Sequence, residues 1–196
     1  MALKVGITGG IGSGKTYVCH RLERMGYDVF YCDEEARRLM VDDAALRREI
    51  KALVGDVAYD EAGQLNKPVV SAFIRQSEGQ AKAIDRLVHP CVRRAFREWS
   101  CEHEVQKCIF MECALMYEAH FDEEVDSVVY VASPLELRIR RLRHHRGISE
   151  EQAREWMRQQ MTEDEKASRA NIIIYNGDGE PDVEKMLEEL TMTVEH

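Results

Sequence analysis

Short apolar runs alternate with longer stretches of helical periodicity along this chain of 196 residues. The unbroken apolar runs are the strand candidates, and there are five of them: Leu3–Thr8, Asp28–Cys32, Cys108–Met111, Ser127–Ala132 and Asn171–Tyr175. Such runs are typical of a parallel sheet that helices cover on both faces. The pattern therefore predicts a doubly wound α/β fold, in which ligands gather at the carboxyl ends of the strands.

The clearest helix signals come late in the chain. Residues 133–136 (S-P-L-E) and 149–152 (S-E-E-Q) both fit the capping box, in which a serine and an acidic or amide side chain satisfy each other's backbone amides. Gly147 predicts the end of the arginine-rich helix between them, because glycine adopts the left-handed conformation without a Cβ penalty. Beyond Pro181 the apolar spacing predicts a terminal helix.

The stretch from about residue 34 to 99 has no strong strand signal and much helical periodicity. We expect it to be a helical insertion between the second and third strands, where a substrate-binding subdomain would fit. The chain is then one domain over 1–196 that carries this insertion.

A glycine-rich segment follows the first predicted strand and precedes a helical pattern. Its eight residues match G-x-x-x-x-G-K-[ST] and are Gly9, Gly10, Ile11, Gly12, Ser13, Gly14, Lys15 and Thr16. In this motif, called here the phosphate loop, backbone N–H groups converge on phosphate oxygens at a helix N-terminus. Lys15 should reach the β- and γ-phosphates of ATP, and the Thr16 hydroxyl should bind Mg²⁺. An ordinary glycine turn would explain neither side chain.

Composition limits the partners of such a protein. The net charge of −9 argues against a nucleic acid or an anionic membrane as the partner. The first apolar run is too short for a signal peptide, and no run approaches the roughly 18 apolar residues of a membrane span. We expect a cytoplasmic protein that is a monomer or a weak homo-oligomer. Its six cysteines form no C-x-x-C pair, so we expect plain, mostly buried thiols.

A regulatory GTPase is the first alternative for a phosphate-loop protein. Residues 60–63 read D-x-x-G, and Asn66-Lys67 begins like the guanine-binding N-K-x-D. However, Val69 stands where the aspartate of that motif should be, and the two motifs are too close together to form separate loops. We interpret the segment as a surface turn.

A small-molecule kinase needs a carboxylate near the phosphate loop and cationic groups for the charge that develops on the phosphoryl group. Asp33 follows the second strand and could be this carboxylate, or it could be the N-cap of the next helix. An arginine run follows the fourth strand and could form a lid over about 137–148, or simply a solvated helix face; its members are Arg138, Arg140, Arg141, Arg143 and Arg146. Glu112 ends the third strand and could contact Mg²⁺ through water, or could only face Lys15.

Four segments in order make the sequence similar to the dephospho-coenzyme A kinase family. Residues 7–16 resemble the family's T-G-G-I-G-S-G-K-[ST], and Asp33 with Ala36-Arg37 resembles D-x-x-A-R. Residues 87–90 resemble L-x-H-P, and residues 160–176 resemble a Q-M…E-K…A-D-x-V-I-D-N segment.

The resemblance implies a P-loop NTPase-type three-layer fold with a five-stranded parallel sheet. It implies transfer of the ATP γ-phosphate to the ribose 3′-hydroxyl of dephospho-CoA, with Mg²⁺ and with Asp33 as the base. Arg37 and His89 would then contact the substrate, and Asn176 would lie near the adenine. Judged without the motif, His89 before Pro90 would be a packing or helix-boundary histidine.

The chain departs from the family pattern at five positions, which are Tyr31, Glu112, Ala114, His145 and Tyr175. The change at His145 leaves three candidates for the arginine that acts on the transferring phosphate, namely Arg141, Arg143 and Arg146. We take Arg141 as the leading one.

Two other functions stay open at this point. The first is a kinase for another acceptor, such as a nucleoside monophosphate or a sugar acid. The second is an ATP-dependent switch without a catalytic reaction, which would leave Asp33 and the arginine run unexplained.

Overall fold

A computed structural model describes residues 1–194 of the chain. The fold contains a five-stranded parallel sheet. The strands are β1 (Leu3–Thr8), β2 (Val29–Tyr31), β3 (Cys108–Glu112), β4 (Ser127–Ala132) and β5 (Ile172–Tyr175). Their order in the sheet is β2-β3-β1-β4-β5. This confirms the predicted parallel α/β sheet, in which β1, the strand before the phosphate loop, is central.

The burial of the strands explains why their sequences could be recognised. All five residues of β3 are buried, and only Ala132 of β4 is partly accessible. The edge strand β5 instead alternates, with Ile172 and Ile174 buried and Ile173 and Tyr175 exposed. A side chain on alternate faces of an edge strand meets either the core or solvent, so β5 gives a weaker apolar pattern than the inner strands.

The helices between the strands are, in chain order, α1 (Lys15–Arg24), α2 (Cys32–Asp42), α3 (Ala44–Val54), α4 (Lys67–Gln76), α5 (Glu78–Glu102), α6 (Leu135–Arg146), α7 (Glu150–Arg158), α8 (Glu163–Arg169) and α9 (Val183–Val194). Two short 3₁₀ helices cover Asp56–Ala58 and Phe121–Glu124. None of the helices in the described part of the chain is long and apolar enough to cross a membrane.

The chain forms two compact units. The first contains Met1–Phe30 and the chain from Ser100 onward, so it includes the phosphate loop and helices α1 and α6 to α9. The second is Tyr31–Trp99, which contains α2 to α5. Within the second unit, the Tyr59 hydroxyl donates to the Met40 carbonyl oxygen at 2.7 Å, which joins the end of α2 to the turn after the first 3₁₀ helix.

Helix α5 continues through Pro90, so the interpretation of His89 as a helix-boundary residue is wrong. Proline in a helix removes one backbone hydrogen bond and costs about 3 kcal/mol. Here the buried Ile84, Val88, Val92 and Phe96 follow one another at a spacing of four residues across the proline. The burial of this continuous apolar face outweighs the lost hydrogen bond.

The predicted helix caps are partly confirmed. Ser149 accepts a hydrogen bond from the Gln152 amide at 3.1 Å, and Gly147 ends α6 in the left-handed conformation, with φ of 65°. Ser133 does not cap α6, because its hydroxyl accepts a hydrogen bond from the Arg141 guanidinium instead. A complete capping box occurs where none was predicted, between Thr162 and Glu165 at the start of α8.

The structure also bears on two local interpretations, the N-cap role of Asp33 and the turn at residues 60–63. Helix α2 begins at Cys32 with Tyr31 as its N-cap, so Asp33 lies in the first turn and is not the N-cap residue. The D-x-x-G segment is a tight turn, in which the Gly63 amide donates to the Asp60 carbonyl oxygen. Lys67 already begins α4.

Candidate active site

The phosphate loop connects β1 to α1, and three of its glycines have backbone conformations that other residues rarely adopt. The φ angles are 154° at Gly9, 80° at Gly12 and 92° at Gly14. A Cβ atom at Gly9 would lie 2.6 Å from the Val131 carbonyl oxygen. The loop therefore folds tightly against β4 only because these positions lack side chains.

Lys15 lies at the start of α1 and is buried together with Glu112. Its Nζ atom donates a hydrogen bond to the Gly9 carbonyl oxygen at 3.0 Å and lies 3.9 Å from Glu112 Oε1. The sheet register explains this pair, because Glu112 at the end of β3 is aligned with Ile7 of β1. A buried ammonium group is thus fixed at the loop with one carboxylate beside it, whereas the adjacent Thr16 is exposed.

Arg138 of α6 contacts the phosphate loop, and nothing in the sequence separates it from the other arginines. Its side chain is only 3% exposed; Nε donates to the Ile11 carbonyl oxygen at 2.9 Å, and NH1 lies 2.8 Å from Glu163 Oε1. Glu163 also accepts a hydrogen bond from the Tyr130 hydroxyl. Burial and this hydrogen bond both raise the pKa of Tyr130, so the phenol remains a donor.

Space for the Arg138–Glu163 pair depends on Gly10. A Cβ atom there would lie 2.1 Å from Glu163 Oε1 and 2.3 Å from Arg138 NH2. The second glycine of the phosphate loop is therefore explained by the ion pair that packs on it, and not by its φ angle.

Arg141 and Asn176 hold the other end of the loop, at Ser13. The Asn176 Nδ2 atom donates to the Ser13 carbonyl oxygen at 2.7 Å, and Arg141 NH1 donates to the same oxygen at 3.1 Å. Arg141 also donates to the Ser133 hydroxyl and to the carbonyl oxygens of Asn176 and Gly177. Burial lowers the pKa of Arg141 from its usual high value, but an arginine remains charged.

The remaining cations of the predicted lid face solvent. Arg140, Arg143 and Arg146 of α6 are exposed, and so are His144 and His145. Arg140 lies 3.7 Å from Asp178, whereas Arg143 and Arg146 form no ion pair with a described residue. The arginine run therefore divides into two buried or partly buried members that contact the loop and a set that does not.

Two residues that the sequence indicated only through the family motif also contact this region. Gln160 Oε1 accepts a hydrogen bond from the Ile11 amide at 3.1 Å. Lys166 is fully buried, and its Nζ atom lies 2.9 Å from Glu118 Oε1 and donates to the Ala114 carbonyl oxygen at 3.1 Å. The segment that carries the Q-M…E-K motif thus contacts both the phosphate loop and the loop after β3.

The other predicted site residues, Asp33, Arg37 and His89, belong to the second unit. Asp33 and Arg37 are exposed, and since they are four residues apart on α2 they lie on the same face. His89 Nε2 is 3.6 Å from Asp85 Oδ1. Burial lowers the pKa of His89 below its usual value, and the Asp85 carboxylate opposes this only in part.

The chain is similar to known proteins over nearly its whole length. The family model described as Dephospho-CoA kinase matches residues 3–182. A dephospho-CoA kinase of Bacteroides fragilis is 40% identical over 188 residues, which cover 96% of this chain and 91% of the relative.

Solved structures share the fold of this chain. The crystal structure of TT1252 from Thermus thermophilus has a TM-score of 0.84 and 31% identity, with 98% of this chain and 97% of that one covered. Dephospho-CoA kinase from Campylobacter jejuni, at 18% identity, supports the fold, with a TM-score of 0.68 over 100% of this chain and 96% of that one. Since the family model matches nearly the whole chain, the chain belongs to the dephospho-CoA kinase family.

Proposed function

We propose that this chain transfers the γ-phosphate of ATP to the ribose 3′-hydroxyl of dephospho-CoA, which gives CoA and ADP. The observation that carries the proposal is a folded phosphate loop with a buried Lys15 at its centre, in a chain that matches the family over residues 3–182. The sequence motifs, the parallel sheet and the relatives all agree with this reaction.

The phosphate loop and Lys15 would bind the triphosphate. The loop glycines allow backbone N–H groups to turn inward, and α1 directs its positive N-terminus to the same place. Lys15 is tethered to Gly9, so its ammonium group is already in position at the loop. Such prepositioned charges stabilise a transferring phosphoryl group without reorganisation during the reaction.

The donor set at the start of α1 fits Mg²⁺. Thr16 offers an exposed hydroxyl, and Glu112 offers a carboxylate near Lys15 that could act through water. Hydroxyl, carboxylate and water oxygens are the ligands that Mg²⁺ prefers, and the ion would supply charge neutralisation for the phosphates.

The second unit would supply the groups for the acceptor. Asp33 would take the proton of the 3′-hydroxyl as it attacks the γ-phosphorus, and Arg37 and His89 would contact the dephospho-CoA. Two further residues of the first unit would act on the nucleotide: Asn176 near the adenine, and Arg141 as the cation that balances charge on the transferring group. In this structure Arg141 is bonded to carbonyl oxygens at Ser13 and Asn176, which keeps its guanidinium at the loop.

The alternative of a kinase for a nucleoside monophosphate or a sugar acid is not favoured, because the relatives that match almost the full length are dephospho-CoA kinases. We further expect the protein to act in the cytoplasm as a monomer or weak homo-oligomer, without a nucleic-acid or membrane partner.

A coupled assay of ADP release tests the proposal. With ATP and Mg²⁺ present, the rate of ADP release with dephospho-CoA should be at least about 100-fold above the rate with AMP, a sugar acid or no acceptor. The reason is that the catalytic carboxylate must lie next to the acceptor hydroxyl. Mass spectrometry should identify the product as CoA. Equal rates with all acceptors, or ADP release without CoA, would reject the assignment.

A further inference from the structure

The segment Gln160–Lys166, called the strap from here on, runs from the turn after α7 into the start of α8 and contacts the phosphate loop. Gln160 is its first residue, and its side-chain oxygen accepts the Ile11 amide hydrogen at 3.1 Å. Only the oxygen of a glutamine amide can accept from an N–H group, so the orientation of this side chain follows from its partner.

The Ile11 peptide is held from both sides. Its amide donates to Gln160, and the carbonyl oxygen of the same residue accepts from Arg138 Nε at 2.9 Å. Arg138 is fixed in turn by its ion pair with Glu163, which is also a strap residue. Both groups that hold the tip of the phosphate loop are thus anchored in or by the strap.

The strap itself is fixed to the loop that follows β3. The Met161 amide donates to Glu118 Oε1 at 2.9 Å, and the same oxygen lies 2.9 Å from Lys166 Nζ. Lys166 is fully buried and donates also to the Ala114 carbonyl oxygen. A buried charge with two defined partners resists movement, so Gln160 projects from a rigid segment.

We propose that Gln160 is a positioning residue for nucleotide binding. Its side chain accepts the hydrogen bond of the Ile11 amide, so this amide does not bind phosphate, and it holds the loop tip in its binding conformation before ATP binds. A loop that is already ordered pays less conformational entropy when the ligand binds. Gln160 therefore acts on ATP affinity through the loop and has no contact of its own with the reacting atoms.

This inference rests on the proposed nucleotide site but not on the acceptor, so its main test is ATP binding without dephospho-CoA, and the KM for dephospho-CoA serves as a comparison. Gln160→Met keeps the length of the side chain and removes the acceptor. We expect the Ile11 amide of the nucleotide-free protein to exchange with solvent about 10-fold faster, and the Kd for ATP to rise about 3- to 10-fold, as the loss of one hydrogen bond would give. The KM for dephospho-CoA should stay within about twofold, because the acceptor is bound by other groups.

The neighbouring Gln159→Met is the matched control, since Gln159 is exposed and the substitution is the same. It should leave Ile11 exchange and ATP affinity as in the wild type. Gln160→Glu restores an acceptor oxygen, so slow exchange of the Ile11 amide should return in that variant.

Three results would overturn the proposal. One is wild-type Ile11 exchange and ATP affinity in Gln160→Met, and another is fast exchange in Gln160→Glu. The third is a loss of stability in Gln160→Met that weakens the binding of ATP and of dephospho-CoA alike, which would mean that the residue has only a structural role. If ATP binds normally but no CoA forms even in the wild type, the proposed function fails and this inference does not.

Discussion

Two glycines with the same φ angle, one in the phosphate loop and one outside it, allow backbone strain to be compared with steric crowding. Gly14 and Gly26 both have φ of 92°, but a Cβ atom at Gly14 would lie 2.1 Å from Asn176 Nδ2. At Gly26, apart from its two chain neighbours, no atom of the described residues lies within 4 Å of such a Cβ atom. Glycine is required at both positions for its backbone freedom, and at Gly14 also for the contact that Asn176 makes with Ser13.

Gly26→Ala should therefore lower the free energy of unfolding by about 1–2 kcal/mol, the cost of a left-handed alanine. Gly14→Ala should lose about 1 kcal/mol more, because Asn176 must move and its 2.7 Å hydrogen bond to the Ser13 carbonyl oxygen is broken. Urea unfolding measures both changes, and titration with ATP should show weaker binding for Gly14→Ala alone. Equal losses in the two variants would mean that the Asn176 contact contributes nothing.

The residues that the sequence could not assign act over long separations. Arg138 and Ile11 are 127 residues apart in the chain, and Gln160 and Ile11 are 149 apart. A helical arginine and a glutamine at a helix end carry no local signal for such partners, because solvent exposure is their usual state. The phosphate loop itself was predictable because its chemistry lies in eight consecutive residues.

At the level of elements, all five strands and the helical nature of residues 34–99 were predictable, because buried positions produce a local pattern of apolar residues in the sequence. The exceptions have physical causes that the local pattern does not contain. Ser133 is predicted to cap α6 but accepts a hydrogen bond from Arg141. A helix boundary at His89-Pro90 is one of the two alternatives without the family motif, but Pro90 lies inside α5. In each case a tertiary contact outweighs a preference worth about 1–3 kcal/mol.

The histidine of α5 gives a test of how that helix packs. Burial lowers the pKa of His89, so between the lowered native value and the usual value of about 6.5 the unfolded chain binds more protons than the native one. The free energy of unfolding should therefore rise with pH through this window and fall as the pH drops below about 6.5. His89→Gln should remove this increment, so its stability should vary less between pH 7.5 and pH 5.

Urea unfolding at a series of pH values measures the effect. His144→Gln is the control, because this histidine lies on the exposed side of α6 and its substitution should leave the wild-type profile. A profile for His89→Gln that is as steep as that of the wild type would show that His89 is not held neutral by burial.

At the scale of the whole molecule, the chain divides its proposed chemistry between its two units. The first unit carries the phosphate loop, Lys15 and the arginines and strap that brace them. The second carries Asp33, Arg37 and His89, which are proposed to serve the acceptor. If the division is right, changes in the second unit should alter turnover and acceptor binding but leave the affinity for ATP unchanged.

Asp33→Asn tests this central claim most directly, because it keeps the shape of the side chain and removes the base. Turnover with dephospho-CoA should fall by about 100-fold or more, while the Kd for ATP, measured by titration without acceptor, should stay within about twofold of the wild type. Wild-type turnover in Asp33→Asn, or a loss of ATP binding as large as the loss of turnover, would contradict the account.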